Sequence, residues 1–369
     1  MLKFLLSLSL LTTLHSYAQE DPSQTSLLEE SYSEIYSKLN VFEELYLYLL
    51  NQDDLTIQLS IPTYSYRKFT KEYTQTYKQV LKQAINIESS PFVIFRADLI
   101  CHAYSSLTEW CHKLDIHEIH QKIDPDNILS YLLNLHKNDP NNQQQLIVAA
   151  KYGRFSNSFY QYNTLELSEY IQDYINDNPE FLIEDENDSE IDDAFKEVAI
   201  QQFIAKGLST KEELLSMEEQ SNINIQSLTI GMYMANVMSN YHSTLYKTCQ
   251  LDEVQNECIT IAKVLAKDKT LFIQSMASRL FKQQYEKVGL DDKILKLEEQ
   301  QKAFYKKIGC YSVPDVNIAI IINEEISKFY LKNLKEFGEI QALKLLAFKV
   351  YNIEKEHGYN PDFNPNDCE

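Results

Sequence analysis

The chain has 369 residues, with 34 Lys and Arg against 54 Asp and Glu, so its formal charge is −20. Phosphate neutralisation needs clustered cations, and only four are arginines (Arg67, Arg96, Arg154 and Arg279), which argues against nucleic acid and anionic membrane surfaces as partners. No two of the seven glycines lie closer than twenty residues, which removes the paired-glycine loops of Rossmann enzymes, P-loop NTPases, protein kinases and α/β-hydrolases.

The N-terminus reads as an address. Lys3 precedes an apolar run at residues 4–14, and Ser16-Tyr17-Ala18 places small residues where a signal peptidase inspects the chain. A signal peptide over 1–18, cleaved after Ala18, is the expectation. The run is too short for the ~20 residues a membrane-crossing helix requires. No later segment is long and apolar enough, so the mature chain is expected in the periplasm or secreted, with no stable membrane insertion.

An N-terminal helical lobe is expected over 19–183. Leu28, Ile35, Leu39, Phe42, Leu45 and Leu49 recur at helical steps, and so do Tyr66, Phe69, Tyr73, Tyr77, Val80, Leu81 and Ala84. Strand alternation is nowhere sustained. Pro62, Pro91, Pro125, Pro140 and Pro179 divide this half.

Five of the eight histidines fall between residues 102 and 136. His112, His117 and His120 are the candidate metal ligands. His117 and His120 stand three apart on one helical face, a spacing zinc ligands use, although His117-Glu118-Ile119-His120 is one residue short of the metalloprotease motif HExxH. The cysteine nearest this group, Cys111, serves either a metal or a disulfide. Solvated or capping histidines are the plainer reading, so no cofactor is expected.

Asp124-Pro125-Asp126-Asn127-Ile128-Leu129-Ser130-Tyr131-Leu132-Leu133-Asn134-Leu135 resembles the opening of a tetratricopeptide-type helix pair, a proline followed by an amphipathic helix with an aromatic and leucines. Asn138-Asp139-Pro140 before residues 143–151 resembles the start of another. The resemblance implies a helical stack whose concave face binds proteins or peptides. No 34-residue period extends it along the rest of the chain. Directly after it, Tyr152, Arg154, Phe155, Tyr160 and Tyr162 lie in a stretch that mixes aromatics, amides and an arginine without period. This is the preferred recognition surface, because tyrosine offers large contact area at low entropic cost.

Residues 184–193 hold seven acids and read as a linker between two lobes. Asp185, Asn187 and Ser189 match the first positions of a calcium loop, but Glu190 and Lys196 stand where a glycine and a bidentate glutamate belong. A C-terminal lobe is expected over 194–369. Ser189 opens a helix that Gly207 closes, Ser209 opens another at once, and further helices are expected to run to Gly289 and to Gly309.

Six cysteines allow fifteen pairings. Cys249 and Cys258 flank a helix stop and would staple a helical hairpin. Cys310 and Cys368 would tie down a tail without helical period. Cys101 and Cys111 would then pair, which demands a break near Ser106–Glu109, because one straight helix would hold their Cα atoms ~15 Å apart. Unpaired buried thiols are the alternative. Together these features predict an all-α fold, an irregular helical bundle or short α-solenoid in two lobes with disulfides. The expected function is non-enzymatic binding of a protein or peptide in the cell envelope; a metal-dependent envelope hydrolase and a secreted effector are the alternatives.

Overall fold

Helices form where apolar side chains recur at three- and four-residue steps, and a computed structural model describes them over residues 43–60, 71–85, 89–103, 105–159, 164–178, 201, 203–208 and 241–368. The described chain is all-α, with one isolated β-bridge between Asn127 and Phe155 and three disulfides. The helices in the first half are α1 (Glu43–Leu50), α2 (Leu55–Gln58), α3 (Lys71–Ala84), α4 (Pro91–Ala103), α5 (Ser105–Lys113), α6 (Ile116–Ile123), α7 (Leu129–Leu132), α8 (Asn142–Tyr152) and α9 (Thr164–Asp177). Those that follow are α10 (Tyr241–Thr248), α11 (Gln255–Leu265), α12 (Leu271–Lys287), α13 (Asp291–Tyr311), α14 (Pro314–Ile322), α15 (Glu324–Phe337) and α16 (Glu339–Glu356). The expected signal peptide and the acidic segment 184–193 lie outside the described residues. No described helix is long and apolar enough to cross a membrane.

Contacts divide the chain into two units that interleave in sequence. Of the described residues, unit A takes those within 43–159 and 241–303, and unit B takes 164–178, 201, 203–208 and 304–368.

Unit A is organised by α4 and by the α8, α11 and α12 group. Helix α4 buries Phe92, Ile94, Phe95, Ala97, Leu99 and Ile100 around its whole circumference. It therefore has no polar face, and its neighbours α2, α3, α5 and α6 enclose it. Helix α3 is amphipathic in the ordinary way, burying Tyr77, Val80, Leu81 and Ala84. Tyr77 is thus a core residue. Leu146 and Ala149 of α8 join Ile261, Ala262 and Leu265 of α11 and Ile273, Met276 and Leu280 of α12 in one apolar cluster, each large side chain contributing roughly 1.5–3 kcal/mol by burial. Thr270 caps α12 by accepting from the Ile273 amide, and Asp268 in turn accepts from the Thr270 amide and hydroxyl, both at 2.9 Å.

Helix α4 ends at Ala103, and α5 starts at Ser105 and runs without a break through Ser106–Glu109, where one was expected. The Cα atoms of Cys101 and Cys111 stand 5.9 Å apart. Cys249 and Cys258 close the turn between α10 and α11 at 5.8 Å. The amphipathic helix that the tetratricopeptide resemblance implies over 124–135 is only the single turn α7.

Unit B contains α9, the end of α13, and α14 to α16. Helix α13 runs straight through Gly309, where a stop was expected, and ends two residues later at Tyr311. Glycine inside a helix costs only about 1 kcal/mol; the residue before Pro314 is pushed out of the helical region, and Val313 is extended with ψ of 158°. Gly207 does mark a turn, with φ of +70°, and an added Cβ would lie 2.3 Å from the His357 ring. Asn323 caps α15 by accepting from the Ile326 amide at 2.9 Å. Cys310 and Cys368 fasten the tail, with Cα atoms 5.7 Å apart.

Candidate functional site

Two features of unit A carry candidate chemistry. The first is the segment after α8. Asn127, fully buried, organises it by donating from Nδ2 to an Asp124 carboxylate oxygen and to the Asn157 carbonyl, both at 2.9 Å. Its Oδ1 accepts from the Leu129 and Asn157 amides, both at 3.2 Å. The neighbouring backbone adds three bonds: the Arg154 and Phe155 amides donate to the Asp126 carbonyl at 2.7 and 3.2 Å, and the Ile128 amide to the Phe155 carbonyl at 2.8 Å. Ser156 Oγ donates to the Asp268 carboxylate at 2.5 Å. Burial raises the Asp268 carboxyl above its ordinary range, and the bonds from Ser156 and Thr270 oppose that.

Gly153 permits this clamp. An added Cβ there would lie 2.7 Å from two Ile128 side-chain atoms and 2.8 Å from the Ala149 carbonyl oxygen. On the clamped segment Tyr152 and Phe155 remain 45% and 43% exposed. Tyr152 stacks on Tyr131, with ring centroids 6.3 Å apart, and the Lys151 ammonium lies 4.9 Å from its ring centre. Arg154 is exposed, and its guanidinium engages no described residue. Tyr160 and Tyr162, expected on the same surface, lie outside the described residues.

The second feature is a cleft lined by Asp98, Cys101, His102, Cys111, His112, Ile116, His117, Leu133, Asn134 and His136. Its cavity volume is about 40 Å³, room for roughly three waters or one hydrated ion. The disulfide bond between Cys101 and Cys111 forms part of its wall. Asp98 is only 5% exposed and accepts from His120 Nδ1 at 2.7 Å and His117 Nδ1 at 3.2 Å, each donating to the same carboxylate oxygen. Burial works to raise the Asp98 pKa, but the charge and hydrogen bonds of His117 and His120 outweigh it and hold the carboxyl below the usual carboxylate range.

The structure therefore divides the expected ligands. His117 and His120 belong to Asp98, and the other nitrogen of His117 lies 2.7 Å from Gln121 Nε2. His112 instead faces His136, ring centroids 6.1 Å apart, and His136 stacks on His102 at 5.3 Å. Among the described residues no three His, Cys, Asp or Glu side chains form a ready-made metal site. Burial lowers the pKa of His102 to about 4 and also lowers that of His136, the neighbouring imidazoles adding to the effect. The His102 ring is accordingly neutral at pH 7.

Sequence reasoning missed Asn127 and Asp98. The turn-forming run Asp124-Pro125-Asp126-Asn127 was a signal for the first; a lone aspartate in an apolar helix, Asp98, was one for the second. No family model, curated protein or solved structure matches the chain.

Proposed function

We propose that this is an exported, non-enzymatic helical protein that recognises a protein or peptide partner of the cell envelope through Tyr152, Arg154 and Phe155. The carrying observation is that two exposed aromatics and an exposed arginine sit on a backbone clamped by Asn127 and the Asp126 carbonyl. Tyr, Trp and Arg dominate the energetics of protein interfaces, and a backbone ordered before contact loses little entropy on binding. The three disulfides support an oxidising destination, periplasmic or outside the cell. The partner class follows from the composition of the surface: apolar contact beside an acceptor for the arginine.

A photo-reactive residue placed at position 155 should yield a discrete crosslinked species in intact cells, diminished at least tenfold by Arg154→Ala. The same probe at Leu295, which is 60% exposed and also in unit A, should not yield it. Equal products at both positions would remove the proposal. Gly153→Ala offers an independent check. Its Cβ overlap with Ile128 is expected to cost about 1–3 kcal/mol of stability and to lower crosslinking at 155 even though no contact side chain is altered. Denaturant unfolding measures the first effect and the crosslink yield the second.

A further inference from the structure

We propose that Lys206, Asp315 and Glu354 form a proton-operated clasp, in which protonation of Glu354 fastens the 203–208 segment to α14 and α16 and its ionisation loosens that segment. All three side chains belong to unit B. The Lys206 ammonium donates to Asp315 Oδ2 at 2.7 Å and stands 3.5 Å from Glu354 Oε1. The Glu354 side chain has no exposure, against 16% for Lys206 and 22% for Asp315. Among the described residues neither of its carboxyl oxygens has a hydrogen-bond partner.

One cation therefore serves two carboxylates, and the nearer one takes its hydrogen bond. A buried carboxylate needs hydrogen-bond donors as well as an opposite charge to offset its lost hydration, and Glu354 has only the more distant charge. The charged groups set around it are Lys206 of the 203–208 segment, Asp315 of α14 and Asp362 of the tail; α15, the other helix packed on α16, supplies none of these three. Fully ionised, the clasp carries two negative charges against one positive. Protonation of Glu354 leaves a balanced pair of Lys206 and Asp315. Burial raises the Glu354 carboxyl above its ordinary 4.5, the Lys206 charge opposing this and the Asp315 charge adding to it.

The way 203–208 is held explains which element gives. Phe203 and Leu208 bury their side chains, and the Gly207 and Leu208 amides donate to the Ile204 and Phe203 carbonyls, both at 3.0 Å. Lys206 adds its ion pairs to α14 and α16. The excess negative charge is relieved when water reaches Glu354, and this short segment is the cover with least structure of its own to lose. Helices α14 and α16 are each packed on α15 as well. The folded chain holds the proton more tightly than the unfolded one. The stability it contributes is thus complete below pH 4.5 and is lost as pH rises through the folded value.

The test is amide hydrogen exchange of the full chain with its disulfides intact, read at Gly207 and Leu208 at pH 5 and pH 8 and corrected for the intrinsic pH dependence of exchange. Protection of these amides should fall about fivefold over that range while the amides of α15 hold steady, a comparison that needs no variant to fold. Glu354→Gln is uncharged at both pH values and should keep the protection at its pH 5 level throughout. Asp315→Asn leaves Lys206 wholly to Glu354 and should shrink the fall to less than about twofold. Constant protection at Gly207 and Leu208 in the unsubstituted chain would overturn the proposal. So would the same fall in Glu354→Gln, or a fall shared equally by α15.

Discussion

Replacing Asp98 with alanine is expected to lower the unfolding free energy by about 3–5 kcal/mol, the cost of removing one partner from a buried charged network. Its carboxylate is the shared acceptor for His117 and His120, and His120 has no exposure at all, so neither water nor another side chain takes over that bond. The deficit has a definite pH dependence. In the folded chain the carboxyl lies below its unfolded value of 3.8, so the stability it contributes is present in full above that value and is lost as pH falls below it. Denaturant unfolding at pH 6 should therefore show the whole difference between the two proteins, and unfolding near pH 3 a smaller one. Asp98→Asn, which keeps an acceptor, should lose less than Asp98→Ala. A loss under about 1 kcal/mol for the alanine variant would show that the histidines do not depend on this carboxylate.

Serine at both Cys310 and Cys368 is expected to destabilise unit B by about 4 kcal/mol, against about 3 kcal/mol in unit A for the same change at Cys101 and Cys111. The difference comes from the unfolded chain, where the first bridge closes 58 residues and the second closes 10. The folded tail is held besides by packing of its Pro365–Cys368 turn on α16. Residues 357–364 lie outside any helix, and the principal aromatic contact is the edge-on approach of Phe363 to Tyr351, with centroids 6.0 Å apart. Separate unfolding measurements on the two double variants give both values. Equal losses would mean that native-state strain or residual structure, and not loop length, sets the effect.

What the sequence disclosed depended on how local each determinant was. Helix α3 could be read because its buried positions repeat within one turn, and the Cys249 to Cys258 bridge because the helix stop lies between its ends. Gly309 misled, since a glycine signals a helix end only where the backbone must turn to positive φ, and here Pro314 does the stopping. The histidine-rich window was visible as a window, but not its internal partition. Asp98 lies 19 and 22 residues from the histidines it holds, and Asn127 lies 30 residues from Asn157. No periodicity encodes such pairs; they arise only when α4 packs on α6 and the segment after α8 folds back on the turn before α7.

The order of the bridges bears on how the molecule is made. The first cysteine is joined to the second, the third to the fourth and the fifth to the sixth. On the proposed export route, a polypeptide delivered N-terminus first into an oxidant would complete its cysteine pairs in sequence, and at each stage the newest complete pair would be the native one. Such a pattern calls on an oxidase but not on the reshuffling of wrongly joined sulfurs, which is the slow part of oxidative maturation.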